Sequence, residues 1–222
     1  MVSNLQETVI YPDSDGQPMS DNTKQFRWIV EIKQNLDWLF ANDPTVFVAG
    51  DLLWYPIEGR PDIRNAPDVM VVFGRPKADR GSYQQWREEH IAPQVVFEIL
   101  SPGNTKTEME KKLLFYDRHQ IREYYIYDPD TNLLSGWQRT EDGLDAIAQM
   151  ANWTSPRLGI RFDLSGEELR IYYPDGTRFR SFNEIQESLE QANESLERER
   201  QRAEELEATL RQYRERFGDL SD

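Results

Sequence analysis

Apolar positions along the chain fall first at helical spacing, then in short β-branched runs, and finally at seven-residue intervals. Behind Ser20 or Asp21, either of which suits a helix N-cap, Phe26, Ile29, Val30, Leu36, Leu39 and Phe40 recur near the 3.6-residue period up to Asn42-Asp43-Pro44. One amphipathic helix is expected there. From Thr45 the texture turns to strands: Val46-Phe47-Val48, then Leu52 to Tyr55 beyond the Gly50-Asp51 break, then Val69 to Phe73 and Val95 to Leu100. Thr105 followed three residues later by Glu108 has the spacing of a capping box, and Leu113, Leu114 and Tyr116 follow it. Ile121 to Tyr127 reads as strand again, and Asp128 to Asn132 as a turn into Leu133 to Trp137. Strand, helix and strand in so short a span predict a crossover that sets Glu98 and Tyr125 on neighbouring strands. Ile160 to Phe162 and Leu169 to Tyr173, the latter ahead of Pro174-Asp175-Gly176, predict antiparallel hairpins.

The last stretch has the strongest period. Leu189, Leu196, Ala203, Leu210 and Phe217 lie seven apart, with Ile185, Ala192, Glu199, Leu206 and Tyr213 on the matching second seam. Glu and Arg dominate the remaining positions, so a helix of roughly 50 Å is expected. A helix that polar needs a partner, and its apolar stripe predicts a homodimer or higher homo-oligomer. The organisation is thus an extended arm over 1–20, a body over 21–180 and a coiled-coil-like helix over 181–222.

Composition adds constraints. Of 222 residues 38% are hydrophobic, enough for one packed body, while 30% are charged. The absence of cysteine removes disulfides and thiolate metal sites and fits a reducing, cytoplasmic setting. Met1 to Glu7 has neither a basic nor an apolar leader segment, and the apolar runs are far too short to cross a bilayer, so no signal peptide and no membrane contact are expected. The net charge of −14 is shared by body and tail and repels polyanions overall, so any nucleic acid must meet a local basic patch or bound metal ions.

Two acids stand out against this pattern. Asp68, after Pro67, opens the Val69 to Phe73 run, and Glu98 interrupts Val95 to Leu100. A carboxylate inside a core strand costs several kcal/mol unless a cation waits beside it. The bland reading of Asp68 is a turn residue after Pro67, but Glu98 has only apolar neighbours. Mg²⁺ or Mn²⁺ prefers such oxygens, and the Ile99 carbonyl offers a third. An ion held there acidifies water and grips a phosphate, and an ammonium nearby stabilises developing charge. Lys111 and Lys112 follow on the next helix; Lys112 reads equally as a solvated helix residue, and Lys111 is its substitute if the helical phase differs. Other chemistries are poorly served. Ser101 lacks a Gly-x-Ser-x-Gly elbow, His90 and His119 are too few for zinc, the tyrosines around 116–127 read as packing, and the Arg75 to Arg87 segment, which could contact a phosphate backbone, reads rather as a solvated loop.

Taken together, Pro67-Asp68-Val69, Phe97-Glu98-Ile99-Leu100-Ser101-Pro102, Lys112-Leu113-Leu114-Phe115-Tyr116 and Arg122 through Pro129 resemble the PD-(D/E)xK nuclease superfamily and, within it, the Uma-type restriction endonuclease family. The resemblance covers roughly Phe26 to Tyr173. It implies an α/β fold of restriction-endonuclease type, a mixed sheet flanked by helices, carrying a metal-dependent site that hydrolyses DNA. Asp68 and Glu98 would be ligands of Mg²⁺ or Mn²⁺. The superfamily motif puts lysine two residues after the acid, where this chain has Leu100, and the role passes to Lys112 on the helix. Glu31 matches the additional acid that such folds carry on their first helix, although its neighbours favour a side chain facing water. The rival expectation is a catalytically quiet scaffold that recruits partners through its coiled tail.

Overall fold

The computed structural model describes residues 9–14, 16 and 20–218, with the side chain of Phe217 outside the description. Helix α1 (Thr23–Leu39) starts one or two residues later than expected: the Asn22 side chain accepts the Gln25 N–H at 2.8 Å, while the Asp21 N–H donates to the Gln25 side chain. Its buried stripe is also rotated from the expected one. Trp28, Ile29, Ile32 and Leu36 face the core, whereas Phe26 is 45% exposed. The tryptophan and Ile32 outcompete Phe26 because they fall in phase with the strands beneath.

Those strands form a six-stranded mixed sheet in the order β1-β3-β5-β6-β7-β8. They are β1 (Val46–Gly50), β3 (Val69–Phe73), β5 (Val95–Ile99), β6 (Glu123–Asp128), β7 (Leu133–Arg139) and β8 (Leu144–Ala146). Helix α2 (Lys106–Arg118), capped by Thr105 as its spacing predicts, crosses from β5 to β6, which pair in parallel with Phe97 beside Tyr125 and Glu98 beside Ile126. The other ladders in this sheet are antiparallel. Leu52 and Leu53 fall outside the strand expected there: β2 is only Trp54–Tyr55 and pairs with β4 (Tyr83–Gln84) in a separate ladder, ahead of a 3₁₀ turn at Gln85–Arg87. Strands β9 (Arg161–Asp163) and β10 (Arg170–Tyr172) make the antiparallel pair expected near the end of the body.

Alternation along the central strands divides the core into two layers. Val46, Val48, Val69, Val71, Val95, Phe97 and Ile99 pack with α1, while Phe47, Ala49, Met70, Val72 and Val96 pack with Tyr116 of α2 and with Trp54 and Tyr83. Strands β3 and β5 are buried on both faces, which explains why they read as continuous apolar runs. In the arm, Tyr11 packs on Tyr55 and Trp86 and its hydroxyl accepts the Gly59 N–H, whereas Ile10 is exposed.

Backbone contacts separate the chain into a unit ending at Phe179 and a unit beginning at Arg180. The second unit is helix α3 (Phe182–Phe217), opened by a full capping box between Ser181 and Glu184. Its heptad positions Ile185, Leu189, Leu196, Leu206, Leu210 and Tyr213 are all exposed. Among the described residues no helix is long and apolar enough to cross a membrane.

The rotated stripe of α1 is testable by denaturation. Ile32→Ala should cost about 2–5 kcal/mol, as expected for truncating a buried aliphatic side chain, and Phe26→Ala less than about 1 kcal/mol. Equal urea midpoints for the two variants would reject this helical phase.

Candidate active site

The β3–β5 register pairs Val71 with Val95, Met70 with Val96 and Val69 with Phe97, so the next step along the ladder sets Asp68 opposite Glu98. Both side chains lie on the face that carries Met70, Val72 and Val96, the layer covered by α2. Facing carboxylates on adjacent strands repel, and here the repulsion is strong because Asp68 is 8% and Glu98 2% exposed.

Each acid has its own set of donors. Asp68 Oδ2 accepts the Ile99 backbone N–H at 2.6 Å, and the Asp68 carbonyl accepts the Asp51 N–H. Glu98 Oε2 takes the Lys112 ammonium at 2.7 Å, and Glu98 Oε1 accepts the Tyr116 hydroxyl. Lys112 and Tyr116 are four residues apart on α2 and therefore share one helical face, which is how one helix reaches both oxygens of one carboxylate. The Asn65 side-chain amide in turn donates to the Tyr116 oxygen at 2.8 Å.

The electrostatic outcome is asymmetric. Burial, and after it the charge of Glu98, raises the Asp68 pKa well above the usual carboxylate range, more than the Ile99 N–H and Lys112 pull it back. Burial works against the Lys112 ammonium, but the charge and hydrogen bond of Glu98 outweigh it and the pKa rises, so Lys112 stays protonated. Burial beside Glu98 likewise raises the Tyr116 phenol, which remains a donor.

Of the residues singled out from sequence, Asp68, Glu98, Ile99 and Lys112 are brought together at one end of β5. The Ile99 carbonyl accepts a hydrogen bond from the buried Gln25 side chain at 2.8 Å, which leaves one of its two lone pairs. Glu31 sits elsewhere. It is half-buried about 120° around α1 from Gln25, its charge acts on Arg27, and Arg27 is clamped by Glu168. Gln25, Asn65 and Tyr116 escaped sequence reading, as did Asp51, a left-handed residue (φ 47°) whose charge reaches Asp68. Only Tyr116 carried a signal, its spacing from Lys112. Arg75 and Arg80 also depart from expectation: rather than being solvated, both are tied to Glu88, and Arg80 covers the Phe47 ring.

Among the described residues no group of three or more His, Cys, Asp or Glu side chains is gathered to hold a metal ion. Two adjacent carboxylates and a carbonyl instead suit a hard ion that completes its shell with water and phosphate oxygens, as Mg²⁺ and Mn²⁺ do, and do not suit a protein-only cage.

A family model described as "Uma2: Putative restriction endonuclease" matches residues 14–165, well over half of the chain. The chain belongs to the Uma2 family. The matched segment contains Asp68, Glu98 and Lys112 and ends before α3. Among solved structures, one similar to the chain is a nuclease of DUF820 from Anabaena variabilis ATCC 29413, titled as putative, with a TM-score of 0.45 and 17% identity over 63% of this chain and 74% of that one. A comparison with curated proteins finds no match.

A raised carboxyl pKa contributes stability below the ordinary carboxylate pKa and loses it as pH climbs through the folded value. Asp68→Asn, which keeps an acceptor for the Ile99 N–H, should therefore stabilise the metal-free protein at pH 7. The gain should be on the order of 1 kcal/mol, roughly 2–4 °C in Tm, and should shrink towards pH 4. Thermal denaturation in EDTA reads this directly, and a variant less stable than wild type at pH 7 contradicts the electrostatic picture.

Proposed function

We propose that this Uma2 protein is a Mg²⁺- or Mn²⁺-dependent deoxyribonuclease that hydrolyses phosphodiester bonds of DNA. The observation that carries the reading is the meeting of Asp68 and Glu98 across adjacent buried strands, with the Lys112 ammonium already on one of them. Asp68 and Glu98 would hold the ion, with the Ile99 carbonyl as an additional oxygen. When bound, the ion would polarise a phosphoryl oxygen and acidify water. Lys112, protonated throughout, is no general base; it offsets negative charge that builds on the phosphate as water adds and the P–O bond to the leaving oxygen breaks. Lys112 and Tyr116, the latter itself held by Asn65, fix both oxygens of Glu98, so the site costs little reorganisation. Burial keeps bulk water off these charges and strengthens them. Since the overall charge of −14 repels DNA, capture depends on such local contacts. The lack of cysteine is compatible with work in the cytoplasm.

Plasmid and single-stranded DNA incubated with Mn²⁺ provide the test. Wild type should cleave, and Glu98→Gln and Lys112→Ala should each lose on the order of 100-fold in rate, the usual scale for removing a group that stabilises the transition state. Mn²⁺ at about 100 times its Kd should also stabilise wild type by about 2.7 kcal/mol and leave Glu98→Ala unmoved. Undiminished cleavage by Glu98→Gln rejects the site.

A second reading concerns assembly. The exposed apolar seam of α3, with Arg202 and Glu207 at positions that would face each other across a parallel pair, favours a homodimer through this helix. Glu199 and the alanines in the seam weaken it. Truncation after Phe182 should lower the sedimentation coefficient from dimer to monomer; a monomeric full-length chain contradicts this reading. In the same reading the helix serves as the recruiting element of a quiet scaffold if the cleavage test fails.

A further inference from the structure

The outer face of α2 carries a second cationic feature. Lys111, Leu114 and Arg118, spaced by three and four residues, share the exposed side of the helix whose inner side delivers Lys112 and Tyr116 to Glu98. Arg122 follows just past the helix end, with its backbone N–H held by the Gln94 carbonyl. Among the described residues no carboxylate pairs with the Lys111, Arg118 or Arg122 side chains; Glu110 is paired with Lys106 and Asp117 with Arg139, and Glu108, one turn before Lys111, accepts the Asn104 amide and acts on Lys112. In a chain of net charge −14, unpaired cations on one strip form a local exception to the overall field.

The strip ends in a cleft of about 470 Å³ between the 85–94 segment and the α2–β6 turn, with Arg118, Arg122, His90, His119 and Gln120 among its lining residues. Two of its wall residues, His90 (φ 59°) and Gln120 (φ 66°), hold left-handed backbone without being glycine. At Gln120 this is the left-handed cap that ends α2, with the Gln120 N–H on the Asp117 carbonyl and the Ile121 N–H on the Tyr116 carbonyl, and His90, whose N–H donates to the Gln85 carbonyl, closes the turn after the 3₁₀ segment. Arg118 alone has a bland explanation as a cation in the last helical turn. Arg122, beyond the helix and exposed, does not share it.

We propose that the outer face of α2 and the cleft at its C-terminal end form a track for the phosphate backbone of a nucleic-acid strand, with Lys111, Arg118 and Arg122 as its contacts. The track rests on the nuclease reading and says where the substrate lies outside the reacting centre. Lys111 and Arg118 are about 10 Å apart along the helix axis, so both can reach phosphates of one strand laid along α2. Leu114, 66% exposed, falls between them, where sugar carbons rather than phosphate oxygens pass. Contacts of this kind carry no base specificity.

The experiment is fluorescence anisotropy of labelled single-stranded and duplex oligonucleotides against the full chain in Ca²⁺, over a series of salt concentrations. The variants are Lys111→Gln/Arg118→Gln/Arg122→Gln and a control, Arg157→Gln/Arg170→Gln, from the opposite side of the sheet. The triple variant should bind at least about tenfold more weakly, and its slope of log Kd against log salt should fall by roughly 2–3, close to one per contact. The control should match wild type. If wild type binds DNA and the triple variant keeps its Kd and slope, the track is wrong while the metal site stands. If wild type neither binds nor cleaves DNA, the nuclease reading and the track fall together.

Discussion

Two acids facing each other across adjacent buried strands form the interaction that organises the rest of this molecule. Like charges at such a distance in a poorly solvated layer cannot both remain ionised without compensation. The protein compensates unequally. Glu98 receives an ammonium and a phenol hydroxyl, whereas Asp68 receives one backbone N–H and is left inclined to hold a proton. A pair so arranged is under-neutralised by the protein alone, and a divalent cation would supply the missing charge. Such an imbalance separates the pair from a saturated structural network. Glu123 makes the contrast. It is equally buried, but the Tyr125 hydroxyl, the Ser155 hydroxyl and the Arg157 N–H saturate it, and it faces no second acid.

The two acids were legible because they break a pattern. Glu98 has apolar neighbours on both sides, which leaves little neutral reason for a carboxylate, whereas Asp68, between Pro67 and an apolar run, could also have been a turn residue and gained its weight from the match with Glu98. The β5–α2–β6 crossover was equally legible, since its elements are short, well capped and consecutive, and so was α3, whose period repeats over many turns. Where tertiary phase decides, sequence was weaker. On α1, Phe26 and Ile32 are equally apolar and only the sheet beneath selects Ile32. Gln25, Asn65 and Asp51 are ordinary polar residues made relevant by partners far along the chain, such as Asn65 and Tyr116. Arg75 and Arg80 resembled a solvated basic loop because the acid that immobilises them, Glu88, lies thirteen and eight residues further on.

Leu100 at the position where the superfamily motif has lysine shows how the site differs in construction. Leu100 continues the β5–β6 ladder through its N–H to the Tyr127 carbonyl, on the same face as Glu98. A lysine there would be fixed by the sheet. Here the ammonium comes from α2, and its position depends on how that helix packs. The packing is aromatic: Trp54 lies parallel to Tyr116 and edge-on to Phe115, and Tyr116 packs against Tyr124, which stacks on Trp137. Tyr116 belongs to that cluster and also donates to Glu98, so the side chain that docks the helix is the one that orients the carboxylate. Helix placement and site geometry are therefore a single variable. A slip of α2 by one residue, about 1.5 Å along its axis and 100° around it, would replace Lys112 and Tyr116 together: in one direction by Leu113 and Asp117, which leaves the two acids without a cation, and in the other by Lys111 and Phe115, which restores an ammonium but not the hydroxyl that orients Glu98.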